Sequence, residues 1–415
     1  MSSNLSEKSL PEQIDIAIVG AGPHALTLAT HLLQKRKQAN FLAFDPSGTW
    51  MNRWNHQFAA LEIPHLRSPA VHQPVPDPHA LRTFAERRPN ELVAPYALPG
   101  TQLFREFCQE VVQRWCLDDK VYPAAVVKIE PLGDRFRLRL ADGQTIRARR
   151  VVLANGGGAV NQPSWVDQIA GDYPSDRLCH SHHVDLRGLQ MHGERVLIVG
   201  GGLTSGHLAV GAIARGAQVI LMTRRQVFEK LFDAEPGWVG PKYLKGFFAE
   251  LNWQTRWQMI QDARNGGSFT PTILTQLRRL AKEDKIIFYE HCQVSAAQWE
   301  EEFWRVSCDR SDVHDCIHHQ PIDRIWFATG SRLDAAQNPL LTDTLAAYPL
   351  PLVNGLPILD ENLRWRGCDL FIMGGLAALC VGPTARNLSG ARMASDRIVP
   401  ALTKGSMQRF SQPVK

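Results

Sequence analysis

The first residues with recognisable chemistry are three small residues near the N-terminus, Gly20, Gly22 and Ala25, in the spacing G-x-G-x-x-A. In this pattern the first glycine permits a tight turn, the second lets the backbone approach a pyrophosphate, and the alanine permits close packing of helix on strand. The motif follows an apolar strand and opens a helix at Pro23, where free N–H groups attract anions. Asp45 ends the next strand and could accept hydrogen bonds from ribose hydroxyls. Together they predict a site for an adenine dinucleotide.

The same arrangement occurs again 180 residues later, at Gly200, Gly202 and Ser205. Here the strand after the helix ends in Arg224 and Arg225 instead of a carboxylate. A carboxylate at this place binds the ribose hydroxyls of NADH, whereas guanidinium groups suit the 2′-phosphate of NADPH. The second motif therefore predicts an NADPH site.

A glycine-rich segment near the C-terminus, Leu370–Gly382, carries a third signal. It begins as an apolar strand, passes through Gly374, and reaches Gly382-Pro383. Proline is favoured at the first position of a helix, because its missing N–H would have no partner there. We therefore expect a helix that begins at Pro383 and directs its positive end at a flavin ring.

These motifs need an α/β fold with two nested Rossmann-like dinucleotide-binding domains, each of three layers and followed by a β-meander, plus a small helical insertion. An Asp142-Gly143 hairpin signal lies in the first meander. The predicted boundaries are a flexible N-terminus (1–13), the first part of an FAD-binding domain (14–165), an NAD(P)H-binding domain (190–320) with the helical insertion at about 228–282, the completing part of the FAD-binding domain (321–402) and a C-terminal tail (403–415).

Composition narrows the class of protein. The 415 residues carry a net charge of only +5, with basic residues scattered along the chain, so nucleic acid is not an expected partner. The polar N-terminus does not look like a secretory signal and no apolar stretch has the roughly 20 residues of a membrane span, which favours a cytoplasmic location. The eight cysteines form no C-x-x-C pair, and His182-His183 and His318-His319 lack further ligands, so no metal is expected.

The whole pattern resembles the class B flavoprotein monooxygenases, in which FAD and NADPH domains are nested. The resemblance covers nearly the whole chain and rests on the paired glycine motifs, on two ATG-like joints, Ala154-Asn155-Gly156 and Ala328-Thr329-Gly330, and on the run LCHSHHVDL. His180 matches the linker histidine of that family. By this resemblance NADPH reduces FAD, and a flavin C4a-hydroperoxide then oxygenates a nucleophilic nitrogen or sulfur of a small molecule, with O2 as co-substrate.

Within this group the chain looks most similar to the ornithine and lysine N-hydroxylases. Their flavin-side segment M-Q-x-S-F-L-K-D-L corresponds to LEIPHLRSP at Leu61–Pro69, and the run PYALPGTQLFREFCQEVVQRW resembles a second motif of those enzymes. The match places Glu62 at a glutamine and Arg67 at a lysine that touches substrate, so both are candidate catalytic residues. An amino acid is the favoured substrate.

Motifs and resemblance together assign two sets of contacts. The FAD set is Gly20, Gly22, Pro23, Ala25, Asp45, Gly48, Trp50, Arg53, Ala154, Asn155, Gly156, Gly374, Gly382 and Pro383, in which Trp50 fits a hydrophobic core equally well. The set for NADPH and the interdomain joint is Gly200, Gly202, Thr204, Ser205, Arg224, Arg225, Ala328, Thr329 and Gly330.

Two other functions stay open at this stage. One is an NAD(P)H-dependent flavin reductase or oxidase that passes electrons to a quinone, a protein or oxygen; the other is a flavin-binding redox sensor without catalytic activity. A homo-oligomer is compatible with the sequence, which gives no further evidence on assembly.

Overall fold

The computed structural model describes residues 10–156, 158–264 and 266–403; within helix α9 the side chains of residues 314–316 are also outside the description. The predictions for the flexible N-terminus and the C-terminal tail therefore fall largely outside the described residues. The helices are α1 Pro23–Lys35, α2 Asn52–Ala60, α3 Ala80–Phe84, α4 Thr101–Arg114, α5 Leu203–Ala214, α6 Pro241–Ala249, α7 Trp253–Arg264, α8 Pro271–Lys282, α9 Ser311–His318, α10 Thr342–Ala347, α11 Ala378–Val381 and α12 Leu388–Thr403.

The strands are short and mostly parallel where they form the two main sheets. They are β1 Gln13–Val19, β2 Phe41–Phe44, β3 Leu92–Val93, β4 Leu98–Pro99, β5 Val121–Tyr122, β6 Val126–Leu132, β7 Arg135–Leu140, β8 Thr145–Leu153, β9 Gly158–Val160, β10 Leu178–His180, β11 Arg195–Val199, β12 Gln218–Thr223, β13 Ile286–Glu290, β14 Val294–Glu300, β15 Phe303–Cys308, β16 Arg324–Phe327, β17 Ser331–Leu333, β18 Leu352–Val353, β19 Leu356–Pro357 and β20 Leu370–Ile372.

The first domain is built on a seven-stranded sheet in the order β5-β2-β1-β8-β7-β6, with β20 paired to β8. The strands β1, β2, β5, β8 and β20 run parallel, and β6, β7 and β8 form an antiparallel meander. Helices α1 and α12 pack against each other beside this sheet. Its central strand β1 is apolar along most of its length, as expected for a strand covered on both faces.

The second domain has a five-stranded parallel sheet in the order β10-β16-β11-β12-β13. The fold class predicted from the sequence, two nested Rossmann-like domains, is thereby confirmed. The meander of this second domain consists only of the antiparallel pair β14-β15.

Two predicted domain boundaries are wrong. Residues 321–402 were assigned to the first domain, but β16 is an inner strand of the second sheet, paired with both β10 and β11. Residues 228–282 were assigned to the insertion, but α8 packs on α5 and links β12 to β13. Parallel neighbours need a crossover of this kind, so α8 belongs to the second domain itself.

The true insertion consists of α6 and α7 with their flanking loops, and it packs on the first domain. Phe247 of α6 and Ile260 of α7 are buried in the hydrophobic core of the first domain. Arg256 of α7 also donates a hydrogen bond to the carbonyl oxygen of Leu379, at 3.3 Å. The insertion therefore leaves one domain and covers part of the other.

The chain crosses between the domains at two places that lie side by side. The connection after β8 contains β9 and the connection after β16 contains β17, and these two strands pair antiparallel. A Cβ atom on Gly158 would lie 2.7 Å from the hydroxyl oxygen of Ser331, so the two connections are in close contact. Among the described residues, no helix combines the length and apolar character needed to cross a membrane.

Candidate functional site

The first glycine turn has two glycines with different surroundings. Gly20 has a φ of +100°, and a Cβ atom on it would lie 2.9 Å from the carbonyl oxygen of Ala154. A Cβ atom on Gly22, by contrast, would meet no protein atom within 4 Å. This free space lies in front of the first turn of α1, which begins at Pro23. Unpaired N–H groups and open space at one helix start fit a pyrophosphate.

Asp45 is tied to this turn by its side chain. Its Oδ2 accepts a hydrogen bond from the backbone N–H of Ala21 at 3.3 Å, and its Oδ1 accepts one from Ser47 Oγ at 2.6 Å. Gly48 follows with a φ of +67°, and a Cβ atom there would lie 3.0 Å from the Cβ of Pro123. The carboxylate therefore stands at the edge of the turn, where a ribose of a bound dinucleotide would reach it.

Two other residues assigned to the flavin side lie in different environments. Trp50 is buried in the core of the first domain, and its indole N–H donates to the carbonyl oxygen of Leu117 at 2.9 Å. It therefore has the core role that the sequence left open. Arg53 on α2 is exposed and forms no ion pair with any of the described residues, so its guanidinium is available for an anion.

The C-terminal glycine segment forms a different helix from the one expected. Gly374 has a φ of +75°, and a Cβ on it would meet nothing within 4 Å. The short helix α11 follows and ends at Gly382, whose φ is +100°. Pro383 begins no helix, because the chain turns there and α12 starts only at Leu388. The prediction of a helix starting at Pro383 is therefore wrong; the left-handed glycine before it sets a turn instead.

The second glycine turn repeats the geometry of the first. Gly200 has a φ of +145°, and a Cβ atom on it would lie 2.6 Å from the carbonyl oxygen of Ala328. The Ser205 hydroxyl donates to the carbonyl oxygen of Gly202 at 2.6 Å and accepts from the Gly202 N–H at 3.2 Å. Ser205 thus closes the first turn of α5, while Thr204 remains partly exposed beside it.

The two arginines after β12 differ in what they bind. Arg225 donates to the carbonyl oxygen of Gly267 at 3.0 Å and lies over the ring of Phe228 at 5.2 Å. Burial and the neighbouring charge of Arg224 lower its pKa. Arg224 itself is exposed and has no ion-pair partner among the described residues. It is the better candidate to bind a 2′-phosphate.

Both ATG-like joints end a central strand next to a glycine turn. The Ala154 N–H donates to the carbonyl of Val19 at 2.9 Å, and the Ala328 N–H donates to that of Val199 at 2.8 Å. Within the joints, Asn155, Gly156 and Gly330 are exposed, while Thr329 hydrogen-bonds with Asn161 of the other connection. The joints therefore hold each turn and link the two domains.

His180 lies on β10, the edge strand of the second sheet. It is buried, and burial together with the charges of His182 and His183 lowers its pKa to about 4. It borders a cavity of about 650 Å³ that Leu178 and Trp326 also line. The next residue, Ser181, accepts a hydrogen bond from Gln57 of α2 at 3.3 Å. His180 is therefore part of a linker that touches the first domain.

The two candidate catalytic residues, Glu62 and Arg67, pair with different parts of the chain. Glu62 is paired with Arg215 of the second domain at 2.8 Å, and its side chain is 48% exposed. Its pKa is lowered, chiefly by hydrogen bonding to that arginine. Glu62 thus joins the two domains at the surface. Its geometry does not support a contact with substrate.

Arg67 is largely but not fully buried, and all three of its side-chain nitrogens are engaged. It pairs with Asp233 at 2.8 Å, donates to Ser268 Oγ at 2.7 Å, and donates to three successive backbone carbonyls of residues 230–232. Burial lowers its pKa, while Asp233 acts in the opposite direction. The residue therefore fastens the insertion to the flavin-side segment and has no free donor for substrate in this arrangement.

The sequence did not identify a group of polar residues next to this contact. Asn387 donates to the second carboxylate oxygen of Asp233 at 3.2 Å, and Arg264 donates to the carbonyl of Pro383 at 3.0 Å. Arg386 lies beside them. These residues come from segments about 120 to 150 positions apart, and their signal in the sequence is one basic residue, Arg386, shortly after the C-terminal glycine segment.

Two nested domains, each with a glycine turn at the start of a helix, are the arrangement expected of a flavoprotein that binds FAD and a nicotinamide dinucleotide. An FAD-NAD(P)-binding family matches residues 17–158, and the L-lysine 6-monooxygenase/L-ornithine 5-monooxygenase family matches residues 96–333. The second match spans more than half of the chain, which therefore belongs to the L-lysine 6-monooxygenase/L-ornithine 5-monooxygenase family. It is an FAD- and NADPH-dependent monooxygenase that uses O2 and a small-molecule substrate.

Solved structures share its fold over nearly the whole chain. The ornithine N-hydroxylase of Kutzneria sp. 744 has a TM-score of 0.75 at 18% identity, over 94% of this chain and 99% of that one. The L-lysine 6-monooxygenase of Pseudomonas syringae has a TM-score of 0.74 at 17% identity, over 94% and 99%. The cadaverine monooxygenase of Erwinia amylovora has a TM-score of 0.75 at 14% identity, over 98% and 100%. No curated protein matches the chain.

Proposed function

We propose that this monooxygenase N-hydroxylates the terminal primary amine of a small molecule, with an amino acid as the favoured substrate. The observation that carries the proposal is the match of residues 96–333 to a family described by lysine and ornithine oxygenation. The substrates named for the three structural relatives share one group, a primary amine at the end of an alkyl chain. A nucleophilic nitrogen is also what the sequence led us to expect.

The chain contributes binding and enclosure to this reaction. FAD, reduced by NADPH, supplies the oxygen-activating chemistry, so the protein needs no catalytic triad of its own. The turn at Gly22 and the carboxylate of Asp45 suit the FAD, while Arg224 suits the phosphate of NADPH. Arg67 and Arg256 hold the insertion against the first domain, an arrangement that would limit the access of water to a bound flavin.

The test is to measure product and cofactor use in the same reaction. The purified, FAD-loaded enzyme would be mixed with NADPH and oxygenated buffer plus ornithine, lysine or cadaverine, and hydroxylamine, consumed NADPH and hydrogen peroxide would be quantified. We expect one of these amines to give hydroxylamine at close to one per NADPH. NADPH consumption with peroxide alone, or with reduction of an added quinone, would instead support the reductase or oxidase function.

The thioether alternative is distinguished in the same assay. A methyl thioether of similar length replaces the amine, and sulfoxide is measured. Sulfoxide without hydroxylamine would overturn N-hydroxylation but leave the monooxygenase assignment intact. For location and assembly we propose a cytoplasmic protein that forms a homo-oligomer, which cell fractionation and light scattering would test.

A further inference from the structure

Arg386 lies between Gly375 and Ser331, a place called the cleft below, and it has almost no polar partner among the described residues. Its side chain is exposed to solvent, and its Nε lies close to the backbone of Gly375. Among the described residues its one hydrogen bond is from Nη2 to the carbonyl oxygen of Ser331, at 3.3 Å. A guanidinium carries five N–H donors, so most of this group's binding capacity is unused.

The charge of Arg386 has no ion-pair partner within the part of the chain that the structure describes. Its pKa is lowered to about 10, chiefly by desolvation and then by the nearby charge of Arg264, so it stays cationic at neutral pH. Asp233 is the carboxylate that acts in the opposite direction. However, one oxygen of Asp233 binds Arg67 and the other binds Asn387. A cation that interacts favourably only with a carboxylate already bound by two other residues favours an anionic ligand.

The surroundings of Arg386 are the segments that build the cofactor sites. The preceding residue, Ala385, accepts a hydrogen bond at 3.0 Å from the ring of His24, the second residue of α1. A Cβ atom on Gly375 would lie 2.9 Å from Nε of Arg386, and the neighbouring Gly374 faces open space. On its other side, Ser331 directly follows the second joint.

We propose that Arg386 binds the pyrophosphate of a dinucleotide cofactor in this cleft. The open spaces at Gly22 and Gly374 and the contact with α1 favour FAD as the source of that pyrophosphate. A planar guanidinium can bind phosphate oxygens through two parallel hydrogen bonds. Arg386, in the C-terminal segment, would thereby bind the same pyrophosphate as the first glycine turn.

The test compares cofactor affinities of FAD-free proteins. Flavin fluorescence gives the Kd of FAD, and calorimetry gives the Kd of NADP+, for the wild type, Arg386→Gln and Arg386→Lys. We expect Arg386→Gln to weaken FAD about tenfold or more, with Arg386→Lys intermediate because it keeps the charge and loses the two-pronged geometry. Added salt should also weaken FAD binding less in Arg386→Gln than in the wild type.

The control is Arg366→Gln, an exposed arginine without an ion-pair partner among the described residues, which should leave both affinities unchanged. Weakened NADP+ binding with normal FAD binding would support a pyrophosphate receptor that serves NADPH. Unchanged affinity for both cofactors overturns the proposal, even if the KM for the amine substrate rises. If Arg386→Gln unfolds at a lower temperature than FAD-free wild type, the Arg386→Lys comparison decides between these outcomes.

Discussion

Gly22 and Gly20 belong to one motif, but the structure gives them different constraints. Because a Cβ on Gly22 would meet no protein atom, the substitution Gly22→Val should leave the FAD-free protein folded. It should nevertheless abolish FAD retention, since the side chain would fill the space where a pyrophosphate approaches the backbone. The measurement is the flavin absorbance of the purified variant, with the thermal midpoint compared to that of FAD-free wild type.

Gly20→Val is the matched comparison at the same turn. Its side chain would meet the Ala154 carbonyl at a φ of +100°, and strained backbone of this kind costs about 1–3 kcal/mol. The FAD-free Gly20→Val protein should therefore unfold at a lower temperature than the FAD-free Gly22→Val protein. A yellow, fully loaded Gly22→Val protein would refute the assignment of this turn to FAD.

Arg224 can be tested by the choice between the two nicotinamide cofactors. Replacing Arg224 by Ala removes a charged partner of the 2′-phosphate, and such hydrogen bonds contribute about 1.5–3 kcal/mol. The KM for NADPH should rise by roughly 10- to 100-fold, whereas that for NADH should change less than about twofold. Steady-state oxidation of each cofactor gives both constants. Equal effects on NADPH and NADH would contradict the assignment.

The sequence predicts residues whose role depends on neighbouring positions in the chain. It does not predict residues that act through contacts with distant segments. Both glycine turns and Arg224 lie within one strand-turn-helix unit, so their spacing carries the information. Arg67 matched a substrate-binding position of related enzymes, yet here it is held by residues 230–233, more than 160 positions away. Arg386 was missed for the same reason.

The insertion formed by α6 and α7 leaves the second domain and packs on the core of the first. Arg256 holds it through hydrogen bonds to the carbonyls of Phe248, Glu250 and Leu379 and lies over the ring of Trp253 at 4.3 Å. Arg256→Gln should loosen this contact and admit water. We expect peroxide per NADPH oxidised to rise several-fold while bound FAD is unchanged, since reactive intermediates decompose in a wet site.

Gln258→Ala is the control on the same helix, because that side chain is exposed and hydrogen-bonds only within the insertion. It should leave the peroxide yield at the wild-type level. A peroxide yield at the wild-type level in Arg256→Gln as well would show that the contact between α7 and α11 does not keep water out.

The sequence predicts an element well when one periodic pattern covers it. It predicts poorly which domain an element packs on, because tertiary contacts decide that. The strand, turn and helix at each glycine motif have strong local patterns. The apolar pattern of α8 could not show whether it packs on α5 or on the first domain. Likewise, Pro383 suits the start of a helix, but the left-handed Gly382 before it produces a turn.

At the scale of the whole molecule, the two cofactor turns rest on separate hydrophobic cores. The first turn packs on the core around β1, and the second on clusters around β11 and β12. Contacts between the domains include the pairing of β9 with β17, the ion pair of Glu62 with Arg215, and the hydrogen bond from Gln57 to Ser181. Loss of FAD from the first domain should therefore leave the phosphate site of the second domain formed.

The probe for that independence is 2′,5′-ADP, which carries the adenosine and 2′-phosphate of NADPH but has no nicotinamide to stack on a flavin. We expect FAD-free Gly22→Val to bind 2′,5′-ADP with a Kd within about twofold of the wild type, while Arg224→Ala weakens it about tenfold or more. Calorimetry at fixed salt measures both. If Gly22→Val lost 2′,5′-ADP binding as well, the second site would depend on FAD in the first domain, and the two cores would not fold as separate supports.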